Sequence, residues 1–488
     1  MVPRSLCRAV QIALSSLLLV THGFAADEPA SLLDVLLENG TITREQYDQL
    51  RRERSDDPEG EPQGEAEEGG QDGPTTDESD LAERVDRAVQ DFFADSGLLN
   101  ARYTPNGLLF ESRDGNFATT FQFRMQFRFT WPTEGDPRTL GGFADTEEAT
   151  LAARRIRMKV GGHAPRPWLK YFFEIDFQPI STAETGPNDT RILDYRIDVD
   201  KFEQFGIRAG VWKIDYNRER VESSGRQQFV ERSIVNRTFT IDRQVGVSFH
   251  GRFFSGTPAD LRYYLGIFTG EGRGAENDDE DMMYVARVQW NFLGRDLKLR
   301  QTDVERSPDP IAALAFGAAH HTGRCTRWSS SGCGNLDGYL SPGVAADGQY
   351  RITQAVQELS YKHQGFSFQQ EFHWKRIRDR SLAVADARHD TDLYGLYVQA
   401  GYFWGELFEC IPEELELAFR YAVVREPNPV DVLETNLREE FTAGANWFFR
   451  SHENKVTVDY SYLTLDDDVT AFGSTQDHRV RVQWDVSF

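Results

Sequence analysis

The chain has little of what most membrane or metal-binding proteins need. Its 488 residues include four cysteines and five methionines, and past the amino-terminal segment no apolar run approaches the ~18 residues of a spanning helix. Helical insertion is thereby excluded for the bulk of the chain, so a membrane assignment has to rest on strands. Paired C-x-x-C motifs are lacking, so no zinc site and no other cofactor is expected. G-x-S-x-G, P-loop and H-E-x-x-H patterns are lacking too, and the pair His320-His321 falls beside an expected loop, which leaves no basis for catalysis. Basic charge is scarce: 54 Lys and Arg against 78 Asp and Glu give a net charge of -24, which argues against nucleic acid as a partner. Much of that excess is local. Residues 55–80 hold eleven acids and no base among several Gly and Pro, a composition that cannot bury enough apolar surface to offset chain entropy and is expected to form a disordered tether.

The start reads as a signal peptide over 1–25. Arg4 and Arg8 supply charge, Ala9 to Val20 the apolar region, and Gly23-Phe24-Ala25 a small-x-small cleavage site; an uncleaved anchor helix would need a longer apolar run. A helical hairpin is expected over 26–54, where Leu32, Leu33, Leu36 and Leu37 crowd one face and Thr43 with Gln46 forms a capping box. After the tether, Leu81, Val85, Ala88 and Phe92 make one stripe of an amphipathic helix over 81–100, suited to covering a local surface or to joining chains. Cys325 and Cys333 flank a loop-like stretch and suit a disulfide formed on export.

From Asn116 the hydrophobic period falls to two. Phe117, Thr119, Phe121, Phe123, Met125, Phe127, Phe129 and Trp131 alternate with Thr120, Gln122, Arg124, Gln126 and Arg128. Alternate side chains of a strand take opposite faces, so one face is apolar and the other charged. A soluble sandwich would turn its apolar face inward and would not carry so regular a row of arginines. The pattern returns at 169–177, where Glu174 and Asp176 share the polar face, and at 193–199, where Leu193, Tyr195, Ile197 and Val199 alternate with Asp194, Arg196 and Asp198. Counted to the end it gives about sixteen segments over 107–488, an all-β transmembrane antiparallel barrel with a short helical extension ahead of it. Short gaps near 161–166, 201–203, 255–260, 362–364 and 450–453 alternate with long ones near 132–150, 214–242, 320–349 and 377–390, the asymmetry of periplasmic turns and outer loops. The long gap 293–310 falls on the turn side and breaks this rule. The last segment sets Val480, Val482, Trp484, Val486 and Phe488 on one face, and it resembles the terminal signal of outer-membrane barrels.

Four motifs in order carry a family resemblance: Gly206-Ile207-Arg208-Ala209-Gly210-Val211-Trp212-Lys213, Phe229-Val230-Glu231-Arg232, Arg243-Gln244-Val245-Gly246-Val247 and Leu265-Gly266-Ile267-Phe268-Thr269-Gly270. Together they resemble the phosphate-selective porin O and P family from about residue 107 to 272; beyond that, alternation and the terminus carry it. The resemblance implies a homotrimer of sixteen-stranded barrels in the outer membrane of Gram-negative type. It implies passive passage of small anions such as phosphate or polyphosphate, a third outer loop folded inward (here 214–242) and a ladder of lumen arginines. Matched position by position, the ladder includes Arg124 and the pair Arg154 and Arg155, with Arg157 beside them, while Asp194 matches an aspartate near the constriction. Guanidinium suits the task because its fixed fork of donors meets phosphate oxygens and stays charged. Phosphate-selective members place a lysine after a Ser-Ser pair; here Ser223-Ser224 is followed by Gly225 and then Arg226, the nearest base. Two plainer readings stand beside these: a solvated third loop, and arginines tied up by wall acids such as Glu174 and Asp194. The rival function is a closed barrel used as an attachment or receptor platform through its amino-terminal extension.

Overall fold

The computed structural model describes residues 99–132, 149–177, 190–274, 277, 280–330, 332–428, 435–466 and 474–488. The signal peptide, helical hairpin and tether lie outside the described residues. Of the helix expected over 81–100 only Leu99 and Asn100 are described, and Asn100 opens a strand.

A short hairpin comes first, β1 (Asn100–Thr104) with β2 (Gly107–Glu111). Nine strands follow: β3 (Ala118–Trp131), β4 (Thr150–His163), β5 (Leu169–Asp176), β6 (Arg191–Phe202), β7 (Phe205–Lys213), β8 (Arg243–Phe253), β9 (Leu261–Phe268), β10 (Met283–Trp290) and β11 (Ile311–Gly323). A small hairpin in the fifth outer loop, β12 (Arg327–Ser329) with β13 (Gly332–Gly334), is closed by the Cys325–Cys333 disulfide. Seven strands complete the wall: β14 (Tyr350–His363), β15 (Phe366–Asp379), β16 (Asp390–Phe403), β17 (Leu415–Pro427), β18 (Thr435–Arg450), β19 (Asn454–Asp466) and β20 (Ser474–Ser487). Each of the sixteen wall strands pairs antiparallel with the next, and β20 returns to β3, so the sheet closes and leaves no open edge in the apolar layer. The seam has two parts: β20 covers Arg124–Trp131 of β3, and β2 covers Ala118–Phe121. Between them Phe123 and Phe488 exchange backbone hydrogen bonds of 2.8 and 3.0 Å and stack their rings.

The faces are inverted relative to a soluble protein. Phe123, Phe127, Phe129 and Trp131 of β3 are exposed on the outside, while Arg124, Gln126, Arg128 and Thr130 are buried inside. The same inversion holds on β5, where Phe173 and, just past the strand's end, Phe177 are exposed while Glu174 and Asp176 are buried. One expectation fails locally. Leu193 is buried and Ile192 exposed, because Glu174 pairs with Asp194 but Ile175 pairs with Ile192. Leu193 is the extra residue of a β-bulge, which shifts the alternation by one position.

The third outer loop, residues 214–242, lies inside the barrel and carries two short helices, α1 (Arg218–Val221) and α2 (Val235–Phe239). Its Tyr216, Ile234, Val235, Phe239 and Ile241 join Trp212, Trp328 and Tyr350 in an apolar core that fills part of the lumen. The irregular gap on the turn side has a physical reason as well. Residues 291–310 form an arm that turns inward, burying Leu297, Gln301, Thr302 and Asp303 against the underside of the third loop. Gln301 Oε1 accepts the Gln228 backbone N–H at 2.7 Å, and Lys362 Nζ donates to the Thr302 carbonyl at 2.7 Å.

Candidate functional site

Wall acids hold the third loop by its backbone. Glu358 accepts the N–H of Arg218 at 3.1 Å, Glu371 that of Glu219 at 2.6 Å, Asp459 that of Val230 at 2.9 Å and Glu440 that of Ile234 at 3.0 Å. Bases and amides take the carbonyls: Lys455 holds Gln227, Asn446 holds Gln228, Arg420 holds Glu231 and Lys375 holds Thr238. Much of the acid of β14 to β19 is therefore committed to anchoring the loop, and the opposite wall, β3 and β4, is left dominated by base. Glu219, on α1, is an acidic part of this clamp. Burial first, and then the neighbouring Glu371, push its carboxyl up to about 7, against Arg420 and Arg232. A carboxyl raised in the docked loop from its ordinary 4.5 binds its proton more tightly there, so docking weakens as pH climbs from 4.5 past about 7. Limited proteolysis of the loop is expected to be several-fold faster at pH 8 than at pH 5, and Glu219→Gln is expected to flatten that difference.

Adjacent residues of a strand face opposite ways, so Arg154 and Arg155 would not ordinarily share the lumen. A second bulge solves this. Gln126 pairs with Arg155 and Phe127 with Ala153, which makes Arg154 the extra residue of a bulge in the register and lets both guanidiniums turn inward. They meet loop residue Glu231 there: its Oε1 lies 2.7 Å from Arg128 Nη2, 3.0 Å from Arg155 Nη2 and 3.9 Å from Arg154 Nε. Burial raises the Glu231 carboxyl, but Arg155, Arg128 and Arg154 outweigh it and hold the group well below the ordinary carboxylate range. This cluster opens on a cavity of about 310 Å³ between the third and fifth loops, lined among the described residues by eight arginines and one acid, Glu231. Arg232, next in the chain, spends its fork on the loop itself, donating to the carbonyls of Glu219, Arg220 and Glu222.

Arg124 and Arg226 lie in a second cavity of about 540 Å³ on the turn side, together with Lys159, Arg300, Arg450 and His452 and the acids Glu305 and Glu453. The fork of Arg124 is already filled. It binds Asp485 through two bonds of 2.9 Å and reaches the Ser223 and Ser224 hydroxyls at 3.3 Å. Gly225 sits directly on that guanidinium, so a Cβ there would come within 2.5 Å of Arg124 Cζ. Gly225, where the resemblance implies a lysine, thus leaves no room for a side chain unless Arg124 moves. Gly225→Lys is expected to push Arg124 off Asp485 and to cost about 1–3 kcal/mol, read as a lower thermal midpoint. Arg226 makes no ion pair among the described residues. Burial, then Arg300 and Arg124, lower its guanidinium pKa, a crowding of like charge that an entering anion relieves. On the wall a line of contacts joins the cavities: Arg155 donates to Gln126 at 2.9 Å, and Gln126 to Asp485, the partner of Arg124, at 2.5 Å.

The six residues singled out from sequence thus separate. Arg154 and Arg155 line the outer cavity, Arg124 and Arg226 the inner one. Arg157 binds Glu174 at 2.9 Å and Asp176 at 2.9 Å, and Asp194 pairs with Arg243 at 2.5 Å, both as buried wall pairs. Arg128, Lys159, Arg300 and Arg327 were missed. Arg128 follows Arg124 at a spacing of four on the same face of β3 and was within reach of the alternation; Arg300 sits on an irregular segment and Arg327 on the three-residue strand β12, neither long enough in pattern to give such a signal.

Residues 120–488 match the family described as phosphate-selective porin O and P. The chain belongs to that family. The match runs to Phe488, well past Gly272, where the motifs of this porin thin out. No curated protein matches the sequence. Similar solved structures include an anion-selective porin from Comamonas acidovorans (11% identity, 76% of this chain and 100% of that one, TM-score 0.48), Salmonella typhi OmpF in complex with daunomycin (13%, 78% and 100%, 0.48) and the outer membrane channel DcaP of Acinetobacter baumannii (11%, 78% and 99%, 0.46). Identities this low say nothing about what the channel conducts. This porin is an outer-membrane β-barrel channel of Gram-negative type.

Proposed function

We propose that this porin gives passive passage to small anions, phosphate or polyphosphate among them, and has no catalytic role. The observation that carries the reading is the outer cavity, whose described lining holds eight arginines, three of them paired with Asp242, Asp337 and Asp459 and three others gathered on Glu231. An anion entering between the third and fifth loops meets Arg154 and Arg155, and one leaving on the turn side meets Lys159 and Arg226. Fixed forks bind oxyanions through paired donors, and a succession of partly neutralised forks keeps each stop shallow enough for release. The chain's net charge of -24 does not oppose this, since eleven of the acids lie in residues 55–80 and several others anchor the third loop.

The test is the reversal potential of the purified porin in a planar bilayer under a chloride gradient, followed by titration with phosphate. Anion-selective current blocked by phosphate is the expected result; cation-selective current would end the reading. The platform alternative is separated by deleting residues 27–98, which leaves ion flow intact if the barrel is the working part. We extend the proposal to a homotrimer, as the family resemblance implies, for which native mass spectrometry should return three times the monomer mass.

A further inference from the structure

We propose that the outward face of β14, β15 and β16 holds a phosphate of an outer-leaflet glycolipid among Arg351, Arg376 and Arg378. The inference is independent of what the pore conducts and rests on the outer-membrane barrel alone.

The register sets the patch out in rows. Opposite residues of an antiparallel pair share a face, so Arg351, Arg378 and Asp390 stand side by side, and Thr353, Arg376 and Asp392 form the next row down. A third row brings Trp374 beside Tyr394, and Phe372 is exposed below them. Buried His373, Lys375 and Ile377 alternate with these residues on β15, which fixes Arg376 and Arg378 on the outside of the barrel. Aromatic residues of the girdle mark the edge of the apolar layer, and polar headgroups fill about 5–8 Å beyond it. A rise of about 3.4 Å per residue and a tilt of about 40° put Arg376 and Arg378 roughly 5 and 10 Å above Trp374. They emerge where lipid phosphates lie, at the end of the wall that carries the long outer loop between β15 and β16.

The acids of the patch are already taken. Asp390 accepts from Arg378 at 2.7 and 3.1 Å, and Asp392 accepts from Arg376 at 2.9 and 2.7 Å and from Trp374 Nε1 at 3.0 Å. Arg351 is left over. Its side chain makes no hydrogen bond and no ion pair among the described residues, and its Nε is sealed from solvent without an acceptor. It also stands directly across from Arg378, and like charges so placed destabilise a sheet. A phosphate relieves them, since it supplies negative charge and enough oxygens for two forks. The acyl chains of the same lipid then run down over Trp374, Tyr394 and Phe372. At the same end of β3, β4, β6 and β9 the exposed residues are Phe129, Trp131, Leu151, Ile192 and Ile267, so those strands offer a lipid no such grip.

The experiment measures binding of labelled lipid A to the delipidated full-length channel in detergent, and repeats it with the same lipid stripped of its phosphates. Wild type is expected to bind the phosphorylated lipid at least about tenfold more tightly, and Arg351→Gln to bind it at least about fivefold more weakly than wild type. Arg351→Glu, which hands Arg378 a partner within the sheet, should bring the two lipids level. Arg102→Gln, in an exposed base of the turn-side hairpin, should bind as wild type does. Arg351 points away from the lumen, so an unchanged unitary conductance certifies that each variant is folded. Equal binding of the two lipids by wild type overturns the proposal without recourse to any variant, as does an Arg351→Gln affinity within twofold of wild type. Displacement of the lipid by inorganic phosphate alone marks a free-anion site and overturns the lipid assignment.

Discussion

Replacing Arg154 and Arg155 together with alanine is expected to weaken phosphate block by about two orders of magnitude and to draw the reversal potential toward zero. A hydrogen bond to a charged group is worth roughly 1.5–3 kcal/mol, and each 1.4 kcal/mol is a factor of ten, so two forks account for that loss. The barrel itself should assemble normally. Arg154 is the extra residue of a bulge in the β3–β4 register, and Arg155 spends its side chain on Glu231 and Gln126 rather than on the wall strands beyond β3. Each single substitution should lose about one order of magnitude, with Arg155 the costlier because it sits 3.0 Å from Glu231 where Arg154 sits at 3.9 Å. Block that stays within threefold of wild type in the double variant would remove the pair from the path.

The second large effect is expected from Glu440→Gln combined with Asp459→Asn. Each acid serves two masters: Glu440 accepts the Ile234 N–H and pairs with Arg420 at 2.5 Å, and Asp459 accepts the Val230 N–H and pairs with Arg481 at 2.8 Å. Neutral amides keep the shape and lose the charge, which forfeits roughly 3–6 kcal/mol over the two anchors and leaves two buried guanidiniums poorly paired. The backbone ladders of β17 to β20 do not depend on either side chain, so the porin should still insert, while the third loop comes loose from β18 and β19. Unitary conductance is then expected to rise several-fold with strong flicker, and trypsin to cut within 217–232 in the folded channel. A protease-resistant loop with wild-type conductance would mean that the apolar core around Phe239 and Trp328, not the acids, holds it.

Much of the wall was legible in the sequence because an inverted strand repeats every two residues. Phe123 to Trp131 against Arg124 to Arg128 fixes the faces of β3, and the short turns and long loops fix its neighbours. What escaped is what a period of two cannot register. The two bulges, at Leu193 and at Arg154, displace the alternation by a residue, and nothing local in the sequence marks them because they are set by the partner strand. Pairing by wall acids was foreseen, but the partners were not. Arg124 meets Asp485 across 361 residues and Asp194 meets Arg243 across 49, so an arginine read as a rung of the ladder is turned into a neutral wall pair by a group far along the chain. The arm 291–310 was visible as an anomaly in loop length, but its reason lay in Gln301 and Thr302 bracing a loop that the sequence could not place in three dimensions.

The bulge on β4 also bears on how such a channel changes over generations. Without Arg154 the pairs Gln126–Arg155 and Phe127–Ala153 become consecutive rungs of an ordinary ladder, and every other residue of the strand keeps its face and partner. A loss of three nucleotides would thus remove one inward charge and leave the wall intact, where a substitution elsewhere on the strand must trade against packing. The in-frame deletion of Arg154 should insert as wild type does and differ only in its current, which makes this codon a dial for pore charge that drift or selection can turn one step at a time.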